Sequence, residues 1–181
     1  TQNPAASDAR SKLAEIYLAK KDTSRAVEVL AGLVDGDLAT PANYLALIRM
    51  QEKFGFTEES QASLKVALEK FPEESNLLAM AWRRALENQD RPTADALFPK
   101  VWASAPNEFF AEDIVKRYAN LLEISKEDKA VLESLSGKAE PSELELLLLF
   151  QLASIQKSED TAKSALEKIR EVSSPVRAAR A

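Results

Sequence analysis

The sequence predicts an all-α protein of about five antiparallel helix hairpins, and three observations carry that expectation. The first is a period: 34 residues separate Pro72 from Pro106, and between these two copies Leu64 falls on Phe98 and Ala67 on Val101. A fixed spacing of this length marks a repeat architecture, in which one helical hairpin cannot bury its apolar face alone and stacks on its neighbours. The second is composition. Ala, Leu, Glu and Lys are plentiful, Gly occurs only four times, and β-branched residues are few, so helix formers dominate. The third is punctuation, because capping residues and prolines recur where helices must start and stop.

In chain order, residues 8–20, 41–54, 75–88, 109–122 and 143–156 read as first helices of the hairpins, and 23–35, 57–70, 91–104, 126–136 and 159–172 as second helices. Thr40 before Pro41 is a polar N-cap ahead of a first-turn proline. Asp90 is placed to cap the helix containing Pro92, and Ser125 with Asp128 and Ser142 with Glu145 have capping-box spacing. Gly55 stands in the turn of the second unit, where glycine easily accommodates a positive φ. Pro72 and Pro106 close second helices, since proline removes a helical hydrogen bond. The repeat units lie near 7–40, 41–74, 75–108, 109–142 and 143–175, with 1–6 a remnant of a preceding repeat and 176–181 a tail. The fourth unit fits worst: Asp128 holds a slot usually held by Ala, and Gly137 cuts its second helix short.

These residues resemble the tetratricopeptide repeat family. The best copy carries Tyr44, Leu47, Gly55, Leu64, Ala67 and Pro72 in the family's slots. The first carries Leu13, Ala14, Tyr17, Ala26 and Leu30, and the third Leu78, Trp82, Ala85, Ala94, Phe98 and Pro106. The fifth carries Leu146, Leu149, Ala153, Ala162 and Leu166, with Pro175 one residue late. The resemblance implies a right-handed α-solenoid that binds proteins without catalysis, the first helices lining a groove for an extended peptide or a partner helix. The alternative that the resemblance offers is a structural spacer or assembly module of a bacterial secretion or envelope complex.

Composition narrows the chemistry. With neither Cys nor His, the chain has no thiol nucleophile, no disulfide, no imidazole base and no Cys/His zinc site. A net charge of −5 gives no global attraction to nucleic acid or anionic lipid. The densest apolar run, Leu144 to Leu152, is too short to span a bilayer and contains Glu145. The adjacent acids Glu58–Glu59, Glu73–Glu74 and Glu127–Asp128 fall at turns and helix starts, where they favour the helix dipole. No Gly-rich phosphate loop or paired-acid metal motif is visible, so no cofactor is expected and the enzyme reading is disfavoured. Either a cytoplasmic or a periplasmic setting suits such a chain.

Two features stand out as partner-binding candidates. Groove slots transferred by register give Arg49, Arg83 and Arg117, each 34 residues from the last, with Glu15 and Gln151 in the same slot at the ends. Stacked helices lie roughly 10 Å apart, so three such arginines form a ladder suited to an acidic peptide or a C-terminal carboxylate. The alternative is pairing along each helix, Arg49 with Glu52, Arg83 with Glu87 and Asp113 with Arg117. The Lys and Asn slots of chaperone-tail clamps in this family hold Ser11, Leu45 and Ala79, which argues against that ligand. The second feature is the first helix of the fifth unit, apolar on almost every side, whose groove slots are Leu144, Leu147 and Ile155. Such a helix needs cover all round, from its neighbours or from a partner. The chain begins without Met, Pro4 sits in a closing-proline slot and little follows the fifth unit, so the reading expects part of a longer array, or self-association through terminal repeats.

Overall fold

The same turn joins the two helices of every hairpin. In this computed structural model, which describes residues 4–36, 39–105 and 108–180 (side chains for 8–36, 39–105 and 110–171), ten α-helices alternate with short connections, and there is no strand among the described residues. They are α1 Pro4–Ala19, α2 Thr23–Ala31, α3 Pro41–Lys53, α4 Thr57–Lys70, α5 Ser75–Glu87, α6 Arg91–Ala103, α7 Glu108–Ile124, α8 Asp128–Ser136, α9 Glu143–Ile155 and α10 Glu159–Arg180. A 3₁₀ turn, Gly32–Val34, extends α2.

At each hairpin one residue turns left-handed: Lys21 (φ 61°), Gly55 (φ 80°), Gln89 (φ 55°), Lys126 (φ 59°) and Lys157 (φ 56°). The next N–H, from Asp22, Phe56, Asp90, Glu127 or Ser158, donates to the carbonyl five residues back, at 2.8–2.9 Å. This bond satisfies a carbonyl that the ending helix would otherwise orphan, and the donor residue then opens the second helix. Asp22 and Asp90 also cap those helices, accepting from Arg25 N at 3.2 Å and Thr93 N at 3.3 Å. Thr40 caps α3, accepting from Asn43 N at 3.2 Å.

Several boundaries depart from the sequence-based expectation. Pro4 is the first residue of α1, where its missing N–H costs nothing, instead of closing an earlier helix. Ser125 does not cap α8: its N–H donates to Leu121 O at the end of α7, and Glu127 holds the cap position without a side-chain bond. With neither Gly nor Pro to stop it, α7 runs to 17 residues, the turn comes three residues late, and α8 keeps only 9 before Gly137 caps it. Pro175 does not end α10, which runs through it into an Ala- and Arg-rich segment. Pro72 follows the C-cap of α4 as expected. Pro106, residues 1–3 of the expected remnant and residue 181 of the expected tail lie outside the described residues.

The chain forms two compact units, Thr1–Leu78 and Ala79–Ala181, with the boundary inside α5. In the first, α1 pairs with α2 and α3 with α4, and α3 lies on α2 and the 3₁₀ turn. Ala14, Leu30, Leu33 and Leu47 form its buried centre, with Val29, Val34, Met50 and Phe56 packed around it. In the second, α6 packs on α7, α7 and α8 on α9, and α9 on α10. Trp82, Phe98 and Tyr118 stack there, with ring centroids 6.3 and 3.9 Å apart. Ala26, Ala67 and Ala94 are all fully buried, where small side chains let helices approach.

Candidate partner-binding face

The site begins with how α9 is anchored. Ser142 caps it in a full capping box, with Glu145 N donating to Ser142 Oγ at 3.4 Å and Ser142 N to Glu145 Oε2 at 2.8 Å. Lys138 Nζ adds bonds of 2.7 and 2.8 Å to the Glu145 carboxylate. The Lys138 bonds first, and the Ser142 backbone next, hold Glu145 below the ordinary glutamate range. With its start fixed, α9 buries Leu146, Leu148, Leu149, Leu152 and Ala153. Leu144, Leu147, Gln151 and Ile155, spaced to lie along one strip of the helix, remain half-buried. The cover expected all round α9 is therefore incomplete along that strip among the described residues.

Phe110 on α7 holds the slot that corresponds to Leu144. It lies 34 residues before Leu144, on a helix that packs against α9, and it is 50% exposed. The sequence reading missed it, although the 34-residue period would have found it through the Leu144 slot. Arg117, one period before Gln151, is exposed on α7 with Nε 2.6 Å from Asp113 Oδ2. Arg83 is exposed on α5 with Nε 3.7 Å from Glu87 Oε1. Arg49 is exposed on α3. Arg83 and Arg117 thus engage acids on their own helices. Such exposed pairs are weak, so they leave the guanidinium available to a better carboxylate.

A second polar group, which the sequence reading missed, ties α6 to α7 and to the start of α8. Arg91 donates to Asp95, and its Nη1 donates to Glu127 Oε2 at 2.7 Å. Its guanidinium lies 5.6 Å from the Tyr118 ring centre, and Tyr118 Oη donates to Asp95. Burial alone would lower the Arg91 pKa, but the Asp95 bond and the surrounding negative charge outweigh it and hold the pKa above its ordinary value. Burial, and then the Asp95 bond, push the Tyr118 phenol far above the tyrosine range, so it stays a neutral donor. Every member has a partner, which suits a latch between helices. Asp128 is buried and accepts from Gln156, joining α8 to the end of α9.

The clefts are shallow and mixed in charge. One of about 520 Å³ between α1 and α2 is lined by Arg10, Leu13, Tyr17, Arg25, Glu28 and Asp35 among others. Arg10 Nη1 there is buried without a hydrogen-bond partner, and its Nε is 3.3 Å from where a Cβ on Gly32 would lie. Another of about 310 Å³, beside the last residue of the short α8, is lined by Ser136, Leu149, Asp160, Thr161, Ser164 and Lys168 among others. No group of three acids able to hold a metal ion occurs among the described residues. No described helix is long and apolar enough to cross a membrane. No family model, curated protein or solved structure matches the chain.

Proposed function

We propose that the chain is a non-catalytic interaction scaffold: a tetratricopeptide-like stack of hairpins whose first helices present a face to an extended peptide or a partner helix. The half-buried strip Leu144–Leu147–Ile155 carries this reading. Three large aliphatic side chains stay partly in water on a helix that buries Leu146, Leu148, Leu149, Leu152 and Ala153, with Phe110 on the neighbouring α7. An apolar strip of this kind, with an exposed arginine at position 117 in the slot of α7 that corresponds to Gln151, fits a ligand with aliphatic anchors and an acidic group. The recurring left-handed turn supports a common hairpin unit, the element from which such stacks are built.

Two measurements test it. Panning a displayed peptide library against the chain should enrich sequences with Leu, Ile or Phe at helical or alternate spacing beside Asp or Glu. Leu147→Glu should weaken those peptides at least about tenfold, the loss of one buried aliphatic anchor. Arg117→Glu should weaken them less, and wild-type binding should fall with salt. Peptides that bind Leu147→Glu as well as wild type would overturn the binding face. The stacked architecture is tested separately by small-angle scattering of the monomer. A solenoid has a radius of gyration clearly above the roughly 16 Å of a compact domain of this length.

A further inference from the structure

The two ends of the repeat register carry complementary exposed leucines. Leu13, Leu47, Ala81, Val115 and Leu149 occupy one slot of the first helices, at 34-residue spacing. The last four are buried, but Leu13 is 40% exposed against 3% for Leu47. Leu30, Leu64, Phe98, Leu132 and Leu166 occupy one slot of the second helices. There the difference falls at the other end: Leu30 is 1% exposed and Leu166 36%. The chain itself shows how the two slots fit together, because Leu47 on α3 packs with Leu30 and Leu33 on α2 and the turn after it. Met50, one turn further along α3, joins that cluster, and its counterpart Ile16 on α1 is 50% exposed. Among the described residues, the α1 face thus has the knobs of this contact without a receiving helix, while on α10 Leu166 stays partly in water although Ile169, the counterpart of Leu33, is buried.

We propose that the occupant of each face is a second copy of this chain, the Leu13–Ile16 face of α1 docking on α10 around Leu166 as α3 docks on α2. This rests on the stacked-hairpin reading above. Its argument is continuity with the α2–α3 contact: one copy supplies both missing halves, with side chains already matched to each other by the repeat. A contact of this kind joins unlike surfaces, so it propagates head to tail and forms a ring or an open chain instead of stopping at a symmetric pair.

Sedimentation velocity across a concentration series tests it with the full 181-residue chain and two variants, Leu13→Glu and Leu166→Glu. Both side chains are partly exposed, so at dilutions where the wild type is monomeric both variants should melt close to it. Wild type should form species that grow with concentration beyond a dimer. Each variant alone should stay monomeric. An equimolar mixture should form a species of twice the monomer mass and no larger, because one intact α1 face meets one intact α10 face. A strictly monomeric wild type overturns the proposal, as does association that survives in either variant alone or a mixture that stays monomeric. Scattering on monomeric Leu13→Glu keeps the two ideas apart. An elongated Leu13→Glu protein with a monomeric wild type sinks only the head-to-tail contact, whereas a compact one sinks the stack beneath it.

Discussion

At Lys21, Gln89, Lys126 and Lys157 the backbone takes the left-handed conformation that only Gly55, among the five hairpin turns, adopts without a side-chain penalty. Left-handed backbone costs an ordinary residue about 1–2 kcal/mol, and glycine gives back about 0.4–1 kcal/mol through its freer unfolded chain. Lys157→Gly should therefore stabilise the protein by about 0.5–1 kcal/mol, read as a higher urea midpoint with an unchanged slope. Gly55→Ala should act in the opposite sense by a similar amount. A Cβ at position 55 meets nothing within 4 Å, so backbone strain is the only cost. A rise in midpoint on Gly55→Ala would contradict the turn geometry. These positions also mark where the sequence could and could not be read. Gly55 announced its turn. Lys21, Gln89 and Lys157 fell in the gaps expected between helices, though nothing in those residue types announces a left-handed backbone; the turn at Lys126 was missed, because it is held by a backbone bond that leaves no trace in side-chain identity.

Among the elements, α4 at Thr57–Lys70 fell where the sequence placed it, bounded by Gly55 before and Pro72 after. The α7–α8 boundary did not, because Ser125 offers a capping signal that the longer α7 overrides. The Arg91–Asp95–Tyr118–Glu127 latch was illegible for another reason: only Arg91 and Asp95 share a helix, and the other partners come from α7 and the turn after it. In the candidate face, the apolar excess of α9 was plain in its composition, but which strip stays in water depends on how α7, α8 and α10 pack on it. The α9 cap also sets a pH dependence. The folded pKa of Glu145 lies below its unfolded value, so its bonds to Lys138 and Ser142 stabilise the protein at neutral pH. That contribution is lost as pH falls through the carboxylate range to the lowered folded value. Glu145→Gln should lower the melting temperature at pH 7, with the gap to wild type closing towards the acid end of that range. A gap that stayed constant with pH would show that the carboxylate charge is not what anchors α9.

On the scale of the whole molecule, the chain divides into two units, and the first has a buried centre of its own around Leu30, Leu33 and Leu47. When contacts join mainly neighbouring elements, stability approaches a sum of local terms, and a core lesion is felt first where it is made. Both tryptophans, Trp82 and Trp102, belong to the second unit, so intrinsic fluorescence reports that unit while far-ultraviolet circular dichroism reports the helices of both. Leu47 is buried in the first unit, and Leu47→Ala should cost about 2–5 kcal/mol there, the usual range for deleting a buried leucine side chain. The expected outcome is a split between probes. In Leu47→Ala the dichroism curve gains an early transition in urea, and the fluorescence curve stays near that of the wild type. If both curves shift together by the same amount, the chain unfolds as one cooperative body and the two units share a single stability. Phe98→Ala, which removes the middle ring of the stack in the second unit, supplies the converse. Its fluorescence transition should move early while part of the helical signal persists to the wild-type midpoint, because the first unit keeps its own buried centre intact.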